Sequence, residues 1–112
     1  MELTESGLFW EIYEHGNGEK AVNGKLATIK YKVSLLDGTL CYSSEVQGLK
    51  KFILGHSNEE SGLEQGILMM QEGDKGRFIL PPHLAHGLLG DENMIPARSI
   101  IVYEVELLEV SE

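Results

Sequence analysis

Apolar and polar residues alternate one by one along two stretches of this chain. From Ile29 to Leu35 the odd positions hold Ile, Tyr, Val and Leu, and the even positions hold Lys or Ser. In the stretch from Ser99 to Val110 one face holds Ile101, Tyr103, Val105 and Leu107, and the other holds Glu104 and Glu106. Because successive side chains of a β-strand point to opposite faces, this period of two predicts two half-buried strands.

Shorter apolar segments bounded by turn-forming residues predict further strands. Asp37-Gly38 follows the first long strand and is typical of a type I′ hairpin turn, because both central residues of that turn need positive φ. The shorter predicted strands are Leu8–Tyr13, Thr39–Ser44, Phe52–Leu54 and Arg77–Leu80.

A single stretch has convincing helical periodicity. Leu63, Ile67 and Met70 recur at helical spacing between residues 61 and 71, and Gly73 is suited to cap the end of this helix. One helix cannot cover both faces of a sheet. The sequence therefore predicts an α+β fold in which a curled antiparallel β-sheet of about five strands wraps around one short α-helix.

Length and charge narrow the range of functions. A chain of 112 residues without repeats, low-complexity stretches or linkers predicts a single domain, residues 1–112. Nine Lys and Arg against 18 Asp and Glu give a formal net charge of −9. This charge disfavours binding to nucleic acid or anionic membranes, because phosphate contacts need basic patches. No run of about 18 apolar residues is present, so we expect no membrane insertion by this chain.

The sequence does not determine the cellular compartment of this protein. Cys41 is the only cysteine, so no internal disulfide can form and cysteine usage does not indicate a redox environment. Residues 1–7 are acidic and polar, which is not typical of a signal peptide, so we expect none in the chain as given. We expect a soluble domain, either cytoplasmic or, if a signal has been removed, a lipoprotein on the periplasmic side of a bacterial cell envelope.

Seven short motifs follow one another in register from about residue 21 to residue 110. They are Tyr31 with Leu35–Gly38, Tyr42–Ser44, Phe52–Gly55, Gly62–Met70, Glu72–Lys75 with Phe78–Pro81, Leu84–Gly87 with Ile95-Pro96, and Val102–Leu108. Together they resemble the signature of the FKBP family of peptidyl-prolyl cis-trans isomerases. Residues 35–38 and 42–44 also resemble bacterial FKBP-like lipoproteins associated with gliding motility.

The resemblance implies an apolar pocket between helix, sheet and loops, which rotates Xaa-Pro bonds of peptides or folding proteins. Resonance gives this rotation a barrier of about 18–20 kcal/mol. A dry apolar pocket favours the twisted imide, which is less charge-separated than the planar one, so no metal, nucleophile or cofactor is needed. The implied partners are proline-containing peptides or unfolded protein segments, with macrolide ligands of the family as a further candidate.

The resemblance also assigns pocket roles to individual residues. Tyr31 matches a conserved pocket tyrosine, Tyr103 an aromatic that is usually Phe, and Leu63 the tryptophan of the pocket floor. His86 matches a tyrosine whose hydroxyl bonds a substrate carbonyl, and the backbone N–H of Glu60 matches a donor to the carbonyl next to proline. The implied catalytic residues are Tyr31, Cys41, Tyr42, Glu60, Leu63, His86 and Tyr103, with Glu59, Met94 and Ile95 in substrate binding.

Several positions depart from the family pattern. Cys41 stands where the family has Phe, Tyr42 where it has Asp, and Glu59-Glu60 where it has an apolar pair, while Lys50 falls near another expected aromatic. The loss of apolar contacts predicts a weak isomerase. The alternative is a peptide-binding or chaperone-like module with the same fold and little or no isomerase activity, since a fold does not fix a function.

Two other chemistries are weaker interpretations. His83, His86 and Asp91 suggest a metal site, but zinc needs three or four converging ligands and no helix is predicted to present these histidines. A hydrolase triad would combine Ser43 or Ser44 with His86 and Asp91, but no nucleophile-elbow motif supports it. We therefore expect neither a metal nor a hydrolase function.

Overall fold

The structure, a computed structural model, describes residues 1–57, 59–85 and 99–112. These residues form seven β-strands, two short α-helices and a 3₁₀ turn at Pro82–Leu84. Neither described helix is long and apolar enough to cross a membrane. The strands are β1 (Glu2–Leu3), β2 (Phe9–Glu14), β3 (Leu26–Leu35), β4 (Leu40–Ser43), β5 (Lys50–Ile53), β6 (Lys75–Leu80) and β7 (Ile101–Ser111), and the helices are α1 (Ser44–Gln47) and α2 (Ser61–Ile67).

The described strands pair antiparallel in one sheet. Their order is β1-β2-β6-β7-β3-β4, and β5 also pairs with β3. The longest ladder joins β3 to β7 and places Tyr31 opposite Val105 and Val33 opposite Tyr103. The predicted antiparallel α+β architecture is confirmed, with seven described strands where about five were predicted. The two residues of β1 are too few to show an alternating pattern.

The alternation that predicted β7 continues only as far as Leu107. Two successive exposed residues follow before Val110 is buried. The pairing with β3 shifts at this point, since Thr28 is opposite Glu109 but Ile29 is opposite Leu107. A β-bulge inserts one extra residue into a strand, so the inward face is regained at Val110.

The hairpin between β3 and β4 turns at Gly38, but its loop is longer than predicted. The Gly38 N–H donates to the Leu35 carbonyl oxygen at 3.0 Å, and the Leu35 N–H donates to the Thr39 carbonyl oxygen at 2.9 Å. Gly38 has a φ of 93°. A three-residue loop with glycine in the left-handed region therefore replaces the predicted two-residue type I′ turn.

Two glycines allow α2 to lie directly against β6. A Cβ atom at Gly62 would lie 2.6 Å from Cγ of Leu80, and one at Gly66 would lie 2.8 Å from the ring of Phe78. Both distances are shorter than van der Waals contact, so a larger residue at either position would force the helix or its neighbours to move. This close approach fully buries Ile67 of the same helix.

The helix ends earlier than predicted. Helix α2 stops at Ile67 rather than at residue 71, and the chain continues in a tighter turn in which the Met70 N–H donates to the Ile67 carbonyl oxygen at 2.9 Å. Met70 is still buried, so the helical spacing of apolar residues persists without a helix. Gly73 does not cap α2: its N–H donates to the Leu107 carbonyl oxygen at 2.8 Å in a later turn.

Candidate active site

A cavity of about 440 Å³ opens between the sheet, the start of α2 and the neighbouring loops. Pockets for small ligands commonly have volumes of about 300–1,000 Å³, so this cavity is large enough for a proline ring and part of its flanking peptide. Strands β3, β4, β5 and β7 and both helices contribute to its walls. The described lining residues are Tyr31, Val33, Tyr42, Gln47, Lys50, Glu59, Glu60, Ser61, Ala85 and Tyr103.

Two buried tyrosines form an aromatic wall of the cavity. Tyr31 on β3 and Tyr103 on β7 are only 6% and 2% exposed. Their ring centroids lie 6.5 Å apart and their planes are inclined at 48°, a separation within the range of favourable aromatic pairs. Val33 follows Tyr31 on the same face of β3, directly opposite Tyr103. All three side chains line the cavity.

The hydroxyl group of Tyr103 is bound by a carboxylate of the cavity. It donates to Glu60 and lies 2.9 Å from both Oε1 and Oε2. Burial raises the pKa of Tyr103 well above its usual value of 10.0, and the negative charge of Glu60 acts in the same direction. Tyr103 therefore keeps its proton at neutral pH and remains a hydrogen-bond donor.

Lys50 brings a positive charge into the same cavity. Its Nζ atom lies 5.0 Å from the centroid of the Tyr31 ring and 3.1 Å from Oε1 of Glu59. The side chains of Lys50 and Glu59 are 27% and 24% exposed, so this ion pair is partly shielded from solvent. The described residues of the cavity thus combine aromatic rings with two carboxylates and one ammonium group.

Glu64 of α2 fixes the loop that carries the two rim glutamates. Its Oε2 atom accepts hydrogen bonds from the Gly55 N–H at 3.0 Å and from the Ser57 hydroxyl at 2.8 Å. The Oγ atom of Ser57 accepts a hydrogen bond from the Glu59 N–H at 3.2 Å. The helix and the end of β5 are therefore tied together directly beside the cavity.

The structure gathers five of the residues assigned by resemblance around one cavity. These are Tyr31, Tyr42, Glu59, Glu60 and Tyr103.

The other assigned residues lie elsewhere or are not described. Leu63 is fully buried in the core, and Cys41 is half-buried beside Tyr42 on β4; neither is among the described lining residues. The roles of these two residues in the pocket therefore stay predictions. His86, Met94 and Ile95 lie outside the described residues, so their assignments stay predictions as well.

Four lining residues were not singled out from the sequence: Val33, Gln47, Ser61 and Ala85. A signal existed for two of them, because Val33 shares the buried face of β3 and Ser61 directly follows Glu60. Gln47 belongs to α1, a single helical turn that was not predicted. Ala85 follows the 3₁₀ turn, in a segment without periodicity.

His83, one of the two histidines considered as metal ligands, contacts a backbone carbonyl group instead. Nε2 of His83 lies 2.6 Å from the Ser6 carbonyl oxygen. Within the described part of the chain, no three His, Cys, Asp or Glu side chains converge as a metal site would require. His86 and Asp91 lie outside that part.

An antiparallel sheet packed on a short helix, with an aromatic cavity at the start of that helix, defines an FKBP-like domain. The sequence profile of the FKBP-type peptidyl-prolyl cis-trans isomerase family matches residues 17–108. The chain belongs to this family.

Individual relatives agree with the family profile. The chain is 37% identical over 112 residues to the FKBP-type peptidyl-prolyl cis-trans isomerase FkpA of Buchnera aphidicola. This alignment covers 98% of this chain and 43% of that protein. The chain is also 37% identical over 111 residues to FK506-binding protein 2 of Yarrowia lipolytica, and that alignment covers 98% of this chain and 77% of that protein. The chain thus spans less than half of the first relative and about three quarters of the second, and the two come from a bacterium and a yeast.

Solved structures share the fold over nearly the whole chain. FkpA from Escherichia coli matches with a TM-score of 0.90 and 31% identity, covering 98% of this chain and 51% of that one. AtFKBP13 matches with a TM-score of 0.88 and 28% identity, covering 96% of this chain and 95% of that one.

Proposed function

We propose that this domain catalyses cis-trans isomerisation of Xaa-Pro bonds in peptides and unfolded protein segments. Family membership supports the proposal, and one feature of the cavity carries it. Tyr31 and Tyr103 are buried on adjacent strands with their rings 6.5 Å apart, and both line the cavity. With Val33 opposite Tyr103, they give a proline ring an apolar surface to pack against.

The reaction is a rotation, so it requires an environment rather than a reactive group. Loss of resonance sets the barrier at about 18–20 kcal/mol, and the uncatalysed exchange takes tens of seconds or longer. The twisted imide is less charge-separated than the planar one. A surface that excludes water therefore binds the twisted form more favourably, and each ~1.4 kcal/mol of this difference accelerates the exchange about tenfold.

Polar groups at the rim orient the peptide on the aromatic wall. Gln47 and Ser61 line the cavity and carry side-chain donors for the carbonyl groups that flank a bound proline. The backbone N–H of Glu60 is the donor assigned by resemblance to the carbonyl next to proline. Holding both flanks of the imide leaves rotation about its C–N bond as the remaining freedom.

The charged residues of the cavity predict a slow enzyme. Lys50 lies over the Tyr31 ring, and Glu59 and Glu60 line the same space. Charged groups hold their hydration water strongly, which weakens the desolvation that favours the twisted imide. We therefore expect measurable but weak isomerisation, greatest when an apolar residue precedes proline.

Exchange NMR on short Xaa-Pro peptides tests this function. At micromolar protein, cis-trans exchange should exceed the uncatalysed rate and be fastest for peptides with Leu or another large apolar residue before proline. If folded protein accelerates no peptide of the series, isomerisation is contradicted and the domain is a peptide-binding module.

Three finer expectations belong to the same proposal. The yeast relative is named for binding FK506, and we propose that a macrolide of this kind competes with peptides for the cavity. A bacterial source is consistent with the relatives named FkpA. The cell-envelope location stays a prediction, which subcellular fractionation of the source organism tests.

A further inference from the structure

The cavity of this domain already holds an ammonium group. Nζ of Lys50 lies 5.0 Å from the centroid of the Tyr31 ring and 3.1 Å from a carboxylate oxygen of Glu59. All three residues line the cavity. An aromatic face and a carboxylate are the two groups that recognise an alkylammonium or guanidinium ion in proteins. Lys50 therefore shows, within one chain, how a cation binds at this place.

The second glutamate of the rim strengthens the same preference. Glu60 accepts the hydrogen bond of the Tyr103 hydroxyl, which holds its carboxylate against the cavity wall. Among the described lining residues, Lys50 is the one cation beside the carboxylates of Glu59 and Glu60. Removing the Lys50 charge would take this ammonium group away from the Glu59 carboxylate, and a carboxylate attracts cations and repels anions.

We propose that the cavity selects Xaa-Pro peptides that carry Lys or Arg beside the Xaa-Pro pair, with Glu59 and the Tyr31 ring receiving the cation. Lys50 occupies this cation site in the free domain and leaves it when such a peptide binds. The inference rests on the proposed function, since it names the class of substrate that the same cavity takes.

The competition between Lys50 and the peptide makes the selection measurable. A peptide cation gains the contacts that Lys50 gives up, so the preference of the unaltered domain is small. A variant without the Lys50 charge leaves the site open, and its preference for a cationic peptide should be larger. Neutral peptides gain nothing from Glu59 in either protein. The difference between cationic and neutral peptides, rather than the affinity for either one, therefore reports on the site.

Matched peptides and matched variants provide the test. The peptides are Lys-Leu-Pro-Ala and Ala-Leu-Pro-Lys with blocked termini, each compared with the same sequence carrying acetyl-lysine, which keeps most of the shape and removes the charge. Lys50→Met is compared with Lys51→Met, an exposed neighbour on β5 that does not line the cavity. Glu59→Gln is compared with Glu109→Gln, an exposed carboxylate on β7. Binding is measured by NMR titration, and isomerisation by exchange NMR.

We expect Lys50→Met to increase the preference for Lys over acetyl-lysine by roughly threefold to tenfold in Kd for at least one peptide frame, a range typical of a partly shielded cation site. Lys51→Met should not increase it. In the Lys50→Met background, Glu59→Gln should remove the preference and Glu109→Gln should retain it. Addition of 0.5 M salt should reduce the preference, since ions screen the attraction.

The outcomes separate the inference from the function. If neutral peptides are isomerised but Lys and acetyl-lysine peptides bind equally to Lys50→Met, the cation site is overturned and the isomerase stands. If no peptide is isomerised but Lys50→Met binds the Lys peptide selectively, the cation site stands and the isomerase falls. If Lys51→Met increases the preference for the Lys peptide as much as Lys50→Met does, the effect comes from net charge alone. That result would overturn the proposed site.

Discussion

The Tyr103 hydroxyl lies 2.9 Å from both carboxylate oxygens of Glu60, a residue 43 positions earlier in the chain. By resemblance, both positions are apolar in most relatives. The Tyr103 hydroxyl alone would be unfavourable here, because a buried hydroxyl without a partner costs about 1–3 kcal/mol. The Glu60 carboxylate satisfies this hydroxyl, so the two residues act as a hydrogen-bonded pair.

This pairing predicts strong coupling between the two positions. Tyr103→Phe and Glu60→Ile should each destabilise the domain, whereas the double variant restores an apolar pair. We expect the double variant to lose less stability than the sum of the single variants, by about 1–2 kcal/mol in the free energy of unfolding. Urea unfolding of the four proteins measures this coupling. Additive losses would contradict a shared hydrogen bond.

The raised pKa of Tyr103 predicts a loss of stability in alkaline solution. Above pH 10 the unfolded tyrosine releases its proton while the buried one retains it, so the folded state binds more protons and becomes less stable as pH rises. Tyr103→Phe should make the fall in unfolding free energy between pH 9 and about 11 shallower. Tyr13→Phe serves as the control, because Tyr13 is 50% exposed and its smaller upward shift contributes less. Equal slopes in all three proteins would contradict the assignment.

The contact between α2 and β6 predicts that Gly66 cannot be enlarged. A Cβ atom there would lie 2.8 Å from the Phe78 ring, so Gly66→Ala should destabilise by about 1–3 kcal/mol through overpacking, although alanine favours a helix by up to ~1 kcal/mol. Combining it with Phe78→Leu, which frees space, should recover part of that loss. Thermal and urea unfolding measure the change in stability. An unchanged free energy of unfolding in Gly66→Ala would contradict the close packing.

The alternation of apolar and polar residues predicted much of the fold, and each wrong prediction has a local structural cause. The strict pattern from Ile29 to Leu35 predicted β3 because one face of that strand is buried along most of its length. The predicted helix was too long because Met70 is buried by a turn rather than by a helix. Helix α1 was missed because it is a single turn whose one apolar residue, Val46, is 82% exposed. Such a turn has no buried face, so its residues show no hydrophobic periodicity.

The candidate site was less predictable than the fold. Tyr31 and Tyr103 were located through the family resemblance, since alternation alone describes them as core residues. Glu59 and Glu60 were read as replacements of an apolar pair, but hydrophobic patterns contain no information about the partners of a polar side chain. The contact from Tyr103 to Glu60 joins segments distant in sequence, and the contact from Lys50 to Glu59 joins β5 to the loop that follows it. Only the folded arrangement reveals either contact.

Cis-trans exchange of a Leu-Pro peptide, with and without an altered cavity wall, tests the account most directly. We expect the unaltered domain to accelerate exchange and Tyr31→Leu to lower kcat/KM by about tenfold, or ~1.4 kcal/mol, because the ring against which proline packs is lost. Tyr13→Leu, a change of the same kind at an exposed tyrosine that does not line the cavity, should leave the rate unchanged. Near-UV circular dichroism must show that both variants are folded. The account is contradicted if the folded domain gives no acceleration, or if Tyr31→Leu and Tyr13→Leu are equally active.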